Sequence, residues 1–141
     1  MTLQIRRVEV WSGAIPDRPG AAAATLEALS RAGADLQYVF SRPHPSDPEF
    51  GLIFLAPVTG PEQERAARSV GLSPASGIAM LCVEGANRPG IGALMMSWLA
   101  VAGINLRGLS VSAADNRFTA YLAFENPESA TMALQVLAGM A

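Results

Sequence analysis

At 141 residues, half of them hydrophobic and 16% charged, the chain has the make-up of a packed globular protein rather than a disordered one. A formal charge of −2 offers nothing to attract nucleic acid or an anionic membrane. The lone Cys82 excludes an intrachain disulfide and a paired-cysteine metal site. With no cationic start ahead of an apolar run, the chain is expected in a reducing cytoplasm.

Residues 3–15 alternate in part, through Leu3, Ile5, Val8 and Val10, which predicts a strand. The turn PDRPG follows at 16–20. A helix is then expected over 19–32, with an apolar stripe at Ala22, Leu26 and Leu29 and a C-terminal cap at Gly33. LQYVFS, 36–41, reads as a second strand. RPHPSDPE, 42–49, holds three prolines and reads as a loop, neither ladder nor helix. FGLIFLAPV, 50–58, is a third strand. The next helix takes Pro61 in its first turn, with Glu62 and Glu64 beside it, and ends at Gly71.

The order then recurs. A strand over 77–85 leads into the turn NRPG, a helix over 89–102 capped by Gly103, and a strand over 105–112. After the tight turn AADN, a strand over 117–125 puts Phe118, Ala120, Leu122 and Phe124 on one face, and a helix over 127–139 closes the pattern.

The recurrence extends to single residues. With no gap, Arg18 falls on Arg88, Pro19 on Pro89, Gly20 on Gly90, Leu29 on Leu99, Gly33 on Gly103 and Leu36 on Leu106, each 70 residues on. A repeat of this length means two copies of one folding unit. The expected architecture is α+β, with two tandem ferredoxin-like βαββαβ modules, 1–74 and 75–141, whose helices cover one face of an antiparallel sheet. The fourth strands are the weak point. After the first copy only LSPAS, 72–76, is available, and after the second the sequence stops. The other module, the N-terminal residues 1–6 or a second chain could each fill the gap. The 18 uncharged residues from 89 to 106 reach the lower bound for a membrane span. Their counterparts carry Glu27, Arg31 and Asp35, which argues for a helix and strand in water instead.

The second copy's first helix carries its core stripe at Gly92, Met96 and Leu99. It adds another at Leu94, Trp98 and Val101, where the first copy has Ala24, Ala28 and Arg31. A helix apolar on two faces is expected to be buried on two faces, against the sister module or in a homodimer.

The strand–[DN]RPG–helix–AG[AI][DN]L–strand pattern, twice in tandem, resembles the ACT domains, small amino-acid-sensing modules attached to metabolic enzymes or free of them. The match rests on DRPG with AGADL and NRPG with AGINL, and covers essentially the whole chain. It implies a regulatory protein that binds a free amino acid between modules or subunits, with a homodimer and a biosynthetic enzyme as partners. It further implies that Asp35 and Asn105, which begin the second strands, reach toward the ligand of a neighbouring module.

The residues themselves fit such a site. Proline at a helix start removes an N–H that has no intrahelical partner, and glycine lets a ligand approach the backbone. The N–H groups of Gly20, Ala21 and Ala22, or of Gly90, Ile91 and Gly92, then stand at the positive end of the helix dipole, where a carboxylate fits. Asp17 and Asn87 stand beside them to accept hydrogen bonds from an ammonium, and Arg18 and Arg88 complete the turns. Gly92 against Ala22 leaves more room at the second loop, which is expected to be the better site. Ile91, Leu106 and Leu109 suggest an apolar ligand. The alternative is that RPG is a stiff turn and that Asp35 and Asn105 are cap or turn residues.

No other constellation competes. His44 has no second histidine for a metal or for acid–base work, and Cys82 reads as a small buried hydrophobe. No Ser/His/Asp set, Walker loop or dinucleotide fingerprint is present, so no enzyme activity, cofactor or metal is expected. The competing reading is a structural or protein-docking module without a ligand of its own.

Overall fold

The structure, a computed structural model, describes residues 2–140. In chain order the elements are β1 (Gln4–Val8), β2 (Trp11–Pro16), α1 (Ala21–Arg31), β3 (Tyr38–Pro43), β4 (Phe50–Ala56), α2 (Gly60–Ser69), β5 (Ser73–Pro74), β6 (Ala79–Ala86), α3 (Ile91–Val101), β7 (Gly108–Ala114), β8 (Arg117–Phe124) and α4 (Pro127–Ala138). They form two compact units, residues 9–76 and residues 77–140 with 2–8. Each is a four-stranded antiparallel sheet with two helices, ordered β3-β4-β2-β5 in one and β1-β6-β8-β7 in the other. This is the tandem ferredoxin-like α+β architecture that the repeat predicts.

In the unit of residues 9–76 the inward face of β2 pairs Trp11 with Leu55, Gly13 with Ile53 and Ile15 with Gly51 of β4. Trp11, Ile15, Ile53 and Leu55 are buried there with Leu29 of α1, Ala67 of α2 and Leu72. The approach of Gly13 to the turn after α2 demands glycine, because a Cβ would lie 2.4 Å from the Gly71 carbonyl oxygen. The fourth strand is the two-residue β5, which pairs Ser73 with Ser12 and Pro74 with Trp11.

In the other unit, β8 alternates as expected, with Phe118, Ala120, Leu122 and Phe124 all buried. They pack with Leu81 and Val83 of β6, Met95 and Leu99 of α3, and Ala130, Ala133 and Leu137 of α4. The fourth position is taken by β1, whose five residues all pair with β6. Of the three ways to fill the gap, the chain uses its own N-terminal segment. The stretch 3–15 is therefore two strands in two sheets rather than one. The burial parity changes where it divides: Ile5 is half-buried between exposed neighbours, whereas Val10 and Trp11 are buried side by side.

Three other details differ from the sequence reading. The buried face of α1 is Thr25 and Leu29, and that of α3 is Ile91, Met95 and Leu99, while Ala22 is exposed. The stripe keeps Leu29 and Leu99 as expected, but its other members lie one residue earlier, at Thr25 rather than Leu26 in one copy and at Ile91 and Met95 rather than Gly92 and Met96 in the other. Strand β3 extends through Arg42 and Pro43 into the proline-rich stretch, pairing with Leu52 and Gly51. Proline is tolerated there because β3 is an edge strand. On α3, Leu94 packs against the core, but Trp98 is 40% and Val101 91% exposed. Within this single chain the second apolar stripe is open at Trp98 and Val101; its cover by a second copy is a separate expectation.

Candidate ligand-binding site

Both RPG turns are built alike. The Asp17 N–H donates to the Glu49 carbonyl at 2.9 Å, and the Asn87 N–H to the Asn116 carbonyl at 2.8 Å, so each turn is tied to the following hairpin of its own sheet. The Ala21 N–H donates to the Arg18 carbonyl at 3.3 Å and the Ile91 N–H to the Arg88 carbonyl at 3.2 Å. Gly20 and Gly90 stand before the helices at φ 91° and 86°, the left-handed region that glycine occupies without penalty. No side chain caps α1 or α3, whereas Asn126 caps α4 by accepting the Ser129 N–H at 2.8 Å. An α-helix leaves its first N–H groups without intrahelical partners. At α1 and α3 no side chain takes them, and of these groups the Ala21 and Ile91 N–H are engaged by the turn itself.

Asp17, Arg18, Gly20, Asn87, Arg88 and Gly90 are exposed, and a Cβ on Gly92 would meet open space. Ala21 is half-buried. Ile91 is 4% exposed, so its side chain belongs to the core and its backbone alone faces the turn. Leu106 is half-buried against the same core. Asp35 and Asn105 are exposed, but they follow the C-terminal ends of α1 and α3. Because α1 has 11 residues, it separates Asp35 from the turn of its own unit by about 16 Å. Within each unit, therefore, the turn residues come together and the residue after the helix does not join them.

Two cavities open at the DRPG turn. One, of about 310 Å³, is lined by Asp17, Arg18, Ala22, Ser41, Arg42 and Leu52 among others. The second, of about 360 Å³, lies against Arg18, Gly20, Ala24, Thr25 and Val70. Sequence reasoning missed Ser41 and Arg42. Arg42 sits over the Phe54 ring at 5.8 Å, and Phe54 in turn packs against Phe40 at 6.1 Å between centroids. The available signal was the repeat register, in which Arg42 faces Ser112 of the second copy.

The remaining reactive groups are structural. His44 Nδ1 accepts the backbone N–H groups of Ser46 and Asp47, both at 3.1 Å, which holds the β3–β4 connection together. Cys82 is fully buried, and its thiol lies 3.7 Å from Glu84 Oε1. Burial pushes that thiol above its ordinary range, and Arg6 opposes the shift. Among the described residues no group of three His, Cys, Asp or Glu could hold a metal, and no helix is long and apolar enough to cross a membrane.

No family model and no curated protein matches the sequence. Solved structures do match its fold. A protein from Bacteroides thetaiotaomicron is similar at 14% identity over 96% of this chain and 89% of its own, with a TM-score of 0.78. The ligand-free regulatory subunit of aspartate kinase from Thermus thermophilus is similar at 18% identity over 99% and 96% of the two chains, with a TM-score of 0.67. The corresponding subunit from Thermus flavus is similar at 22% identity over 98% and 94%, with a TM-score of 0.59. With its two antiparallel sheets and four helices, the chain has the tandem ACT-like fold, shared along nearly its whole length with regulatory subunits of aspartate kinase.

Proposed function

We propose that the chain is a non-catalytic regulatory protein that binds a free α-amino acid at its RPG turns and modulates an amino-acid biosynthetic enzyme. The observation that carries this reading is the pair of helix starts, each preceded by a left-handed glycine and left without a side-chain cap, one of them opening on a cavity. The α-carboxylate would take the N–H groups at the start of α1 or α3, at about 0.3–2 kcal/mol from the dipole alone. Asp17 or Asn87 would accept from the α-ammonium. The regulatory subunits that share the fold support a regulatory rather than a catalytic role. The test is a thermal-shift screen of the full chain against the twenty amino acids. A ligand at a hundred times its Kd adds about 2.7 kcal/mol of stability, which a melting curve resolves.

A second reading, a docking or self-associating module with no small ligand, is favoured by the exposed Trp98, Val101, Leu109 and Val111. A screen without any shift, together with a dimeric mass in light scattering that Trp98→Glu abolishes, would establish it instead.

A further inference from the structure

We propose that the open edge of β2 at Ala14, with the cavity of about 360 Å³ beside it, takes a short extended segment of a partner polypeptide whose anchoring side chain ends in an amide or hydroxyl. This goes beyond the amino-acid reading and does not depend on it.

The edge is open on the side of β5. There the Val10 carbonyl accepts the Ala75 N–H at 2.8 Å, while on the side of β4 the Asp17 N–H donates to Glu49. Alternation along the strand then sets the N–H and carbonyl of Ala14 on the β5 side. Strand β5 reaches only Trp11 and Ser12, and no backbone hydrogen bond among the described residues takes either group of Ala14.

In the second copy the same edge is filled. Glu84, the equivalent of Ala14, pairs with Gln4, and Leu3 packs against the core beside Gly85. Ile91, Leu94, Met95 and Met140 belong to that core. Their counterparts in the first copy are Ala21, Ala24, Thr25 and Val70, all smaller. Ile15, in place of Gly85, takes up part of the difference. The cavity, lined by Ile15 and these four, is the remainder. Leu3 and Gln4 thus show the form of the occupant: main chain on the strand edge and one side chain turned inward.

Thr25 sets the chemistry of that side chain. It is only 4% exposed. Its hydroxyl makes no hydrogen bond among the described residues, where no polar side-chain atom is sealed without a partner, so the hydroxyl opens on the cavity. An apolar anchor would seal it unpaired, whereas a polar tip would pair with it.

The experiment is NMR titration of the ¹⁵N-labelled full chain with the acetylated, amidated tripeptides TNQ and TLQ. They differ by isosteric asparagine and leucine, and neither has a free α-amino or α-carboxyl group. TNQ should shift the Ala14 and Thr25 amides and bind about three- to tenfold more tightly than TLQ, the range for one buried hydrogen bond. Methylating the backbone nitrogen of the peptide's glutamine should weaken binding, because it blocks the ladder to Ala14. Thr25→Val should bring TNQ down to TLQ. Ala24→Leu, which installs the second copy's residue, should exclude both peptides. The melting temperature of each variant reports whether it folds. If neither peptide shifts these amides, if TLQ binds as tightly as TNQ, if the methylated peptide binds unchanged, or if folded Ala24→Leu still binds, the proposal fails. Since the peptides lack the free groups of an amino acid, that failure leaves the amino-acid reading to its own screen.

Discussion

In the unit of residues 9–76 the turn before the first helix reads DRPG, in the other NRPG, and equivalent backbone hydrogen bonds hold both. The turns differ in what surrounds them. The first faces the six residues 44–49 between β3 and β4, pinned by His44; the second faces the two-residue turn Asp115–Asn116, both at positive φ. Asp17 and Arg42 become Asn87 and Ser112. Backbone geometry is thus common to the two copies while side-chain charge and loop length differ.

The contrast extends into the sheets. Gly13 in β2 corresponds to Val83 in β6, and Ile15 to Gly85. Each first strand has one glycine, but the two lie two residues apart in the repeat. Gly13 admits the Gly71–Leu72 turn, and Gly85 admits Leu3 together with Phe118. The glycine marks where the chain that fills the fourth position comes closest, and that chain differs between the units.

The largest effect tests how equal the two cores are. Leu29 and Leu99 are equivalent and both fully buried. Replacing either with Ala should cost about 2–5 kcal/mol. Hydrogen exchange should show the loss confined to the unit that carries the change; uniform deprotection would mean that the two units unfold as one.

A smaller effect separates the first strands. Gly13→Ala should destabilise the unit of residues 9–76 by about 1–3 kcal/mol, because the new methyl meets backbone that cannot rotate away. Val83→Ala, at the equivalent position, should cost the other unit through lost packing and without overcrowding. Crystal structures of the two variants would tell a displaced Gly71 turn from a cavity. An undisplaced turn with unchanged stability would remove the role assigned to Gly13.

The smallest effect is a pH dependence confined to one unit. Cys82 corresponds to Ser12, which does not titrate. A thiol raised by burial favours the native state through its protonated form. Its contribution is therefore complete below the unfolded thiol's range, about pH 8.5, and is lost as pH rises through the higher native value. Urea unfolding at pH 7 and 9.5 should show a larger alkaline loss for the parent than for Cys82→Ala. Tyr38 and Tyr121 are raised as well and titrate above this window.

Much of this was legible in the residues. The 70-residue register placed α1 and α3 in corresponding positions, and the strict alternation of 118–124 identified β8 and its inward face. Three things were not. Leu29 and Leu99 were assigned correctly, but the rest of the core stripe was placed one residue late, because Thr25 is polar and Met95 and Met96 are equally apolar, so hydrophobicity alone cannot choose between neighbouring faces. The division of 3–15 depends on which sheet each half joins, a long-range pairing that local alternation does not encode. Arg42 lay hidden in a proline-rich stretch that reads as loop, and became part of the cavity lining once β3 was seen to continue along the sheet edge.

The pairing of β1 with β6 also has a consequence for biosynthesis. Residues 9–76 hold all four strands of their sheet in one run of chain, so that unit can close as soon as it leaves the ribosome. The strand at 4–8 emerges earlier still, yet its partner at 79–86 is made after the whole intervening unit. It must wait, unpaired, until about 70 residues of chain have been spanned, although loop closure grows only slowly in cost with length. A strand made before the intervening unit is therefore used only after it, and while it waits it is an open edge that another nascent chain could occupy.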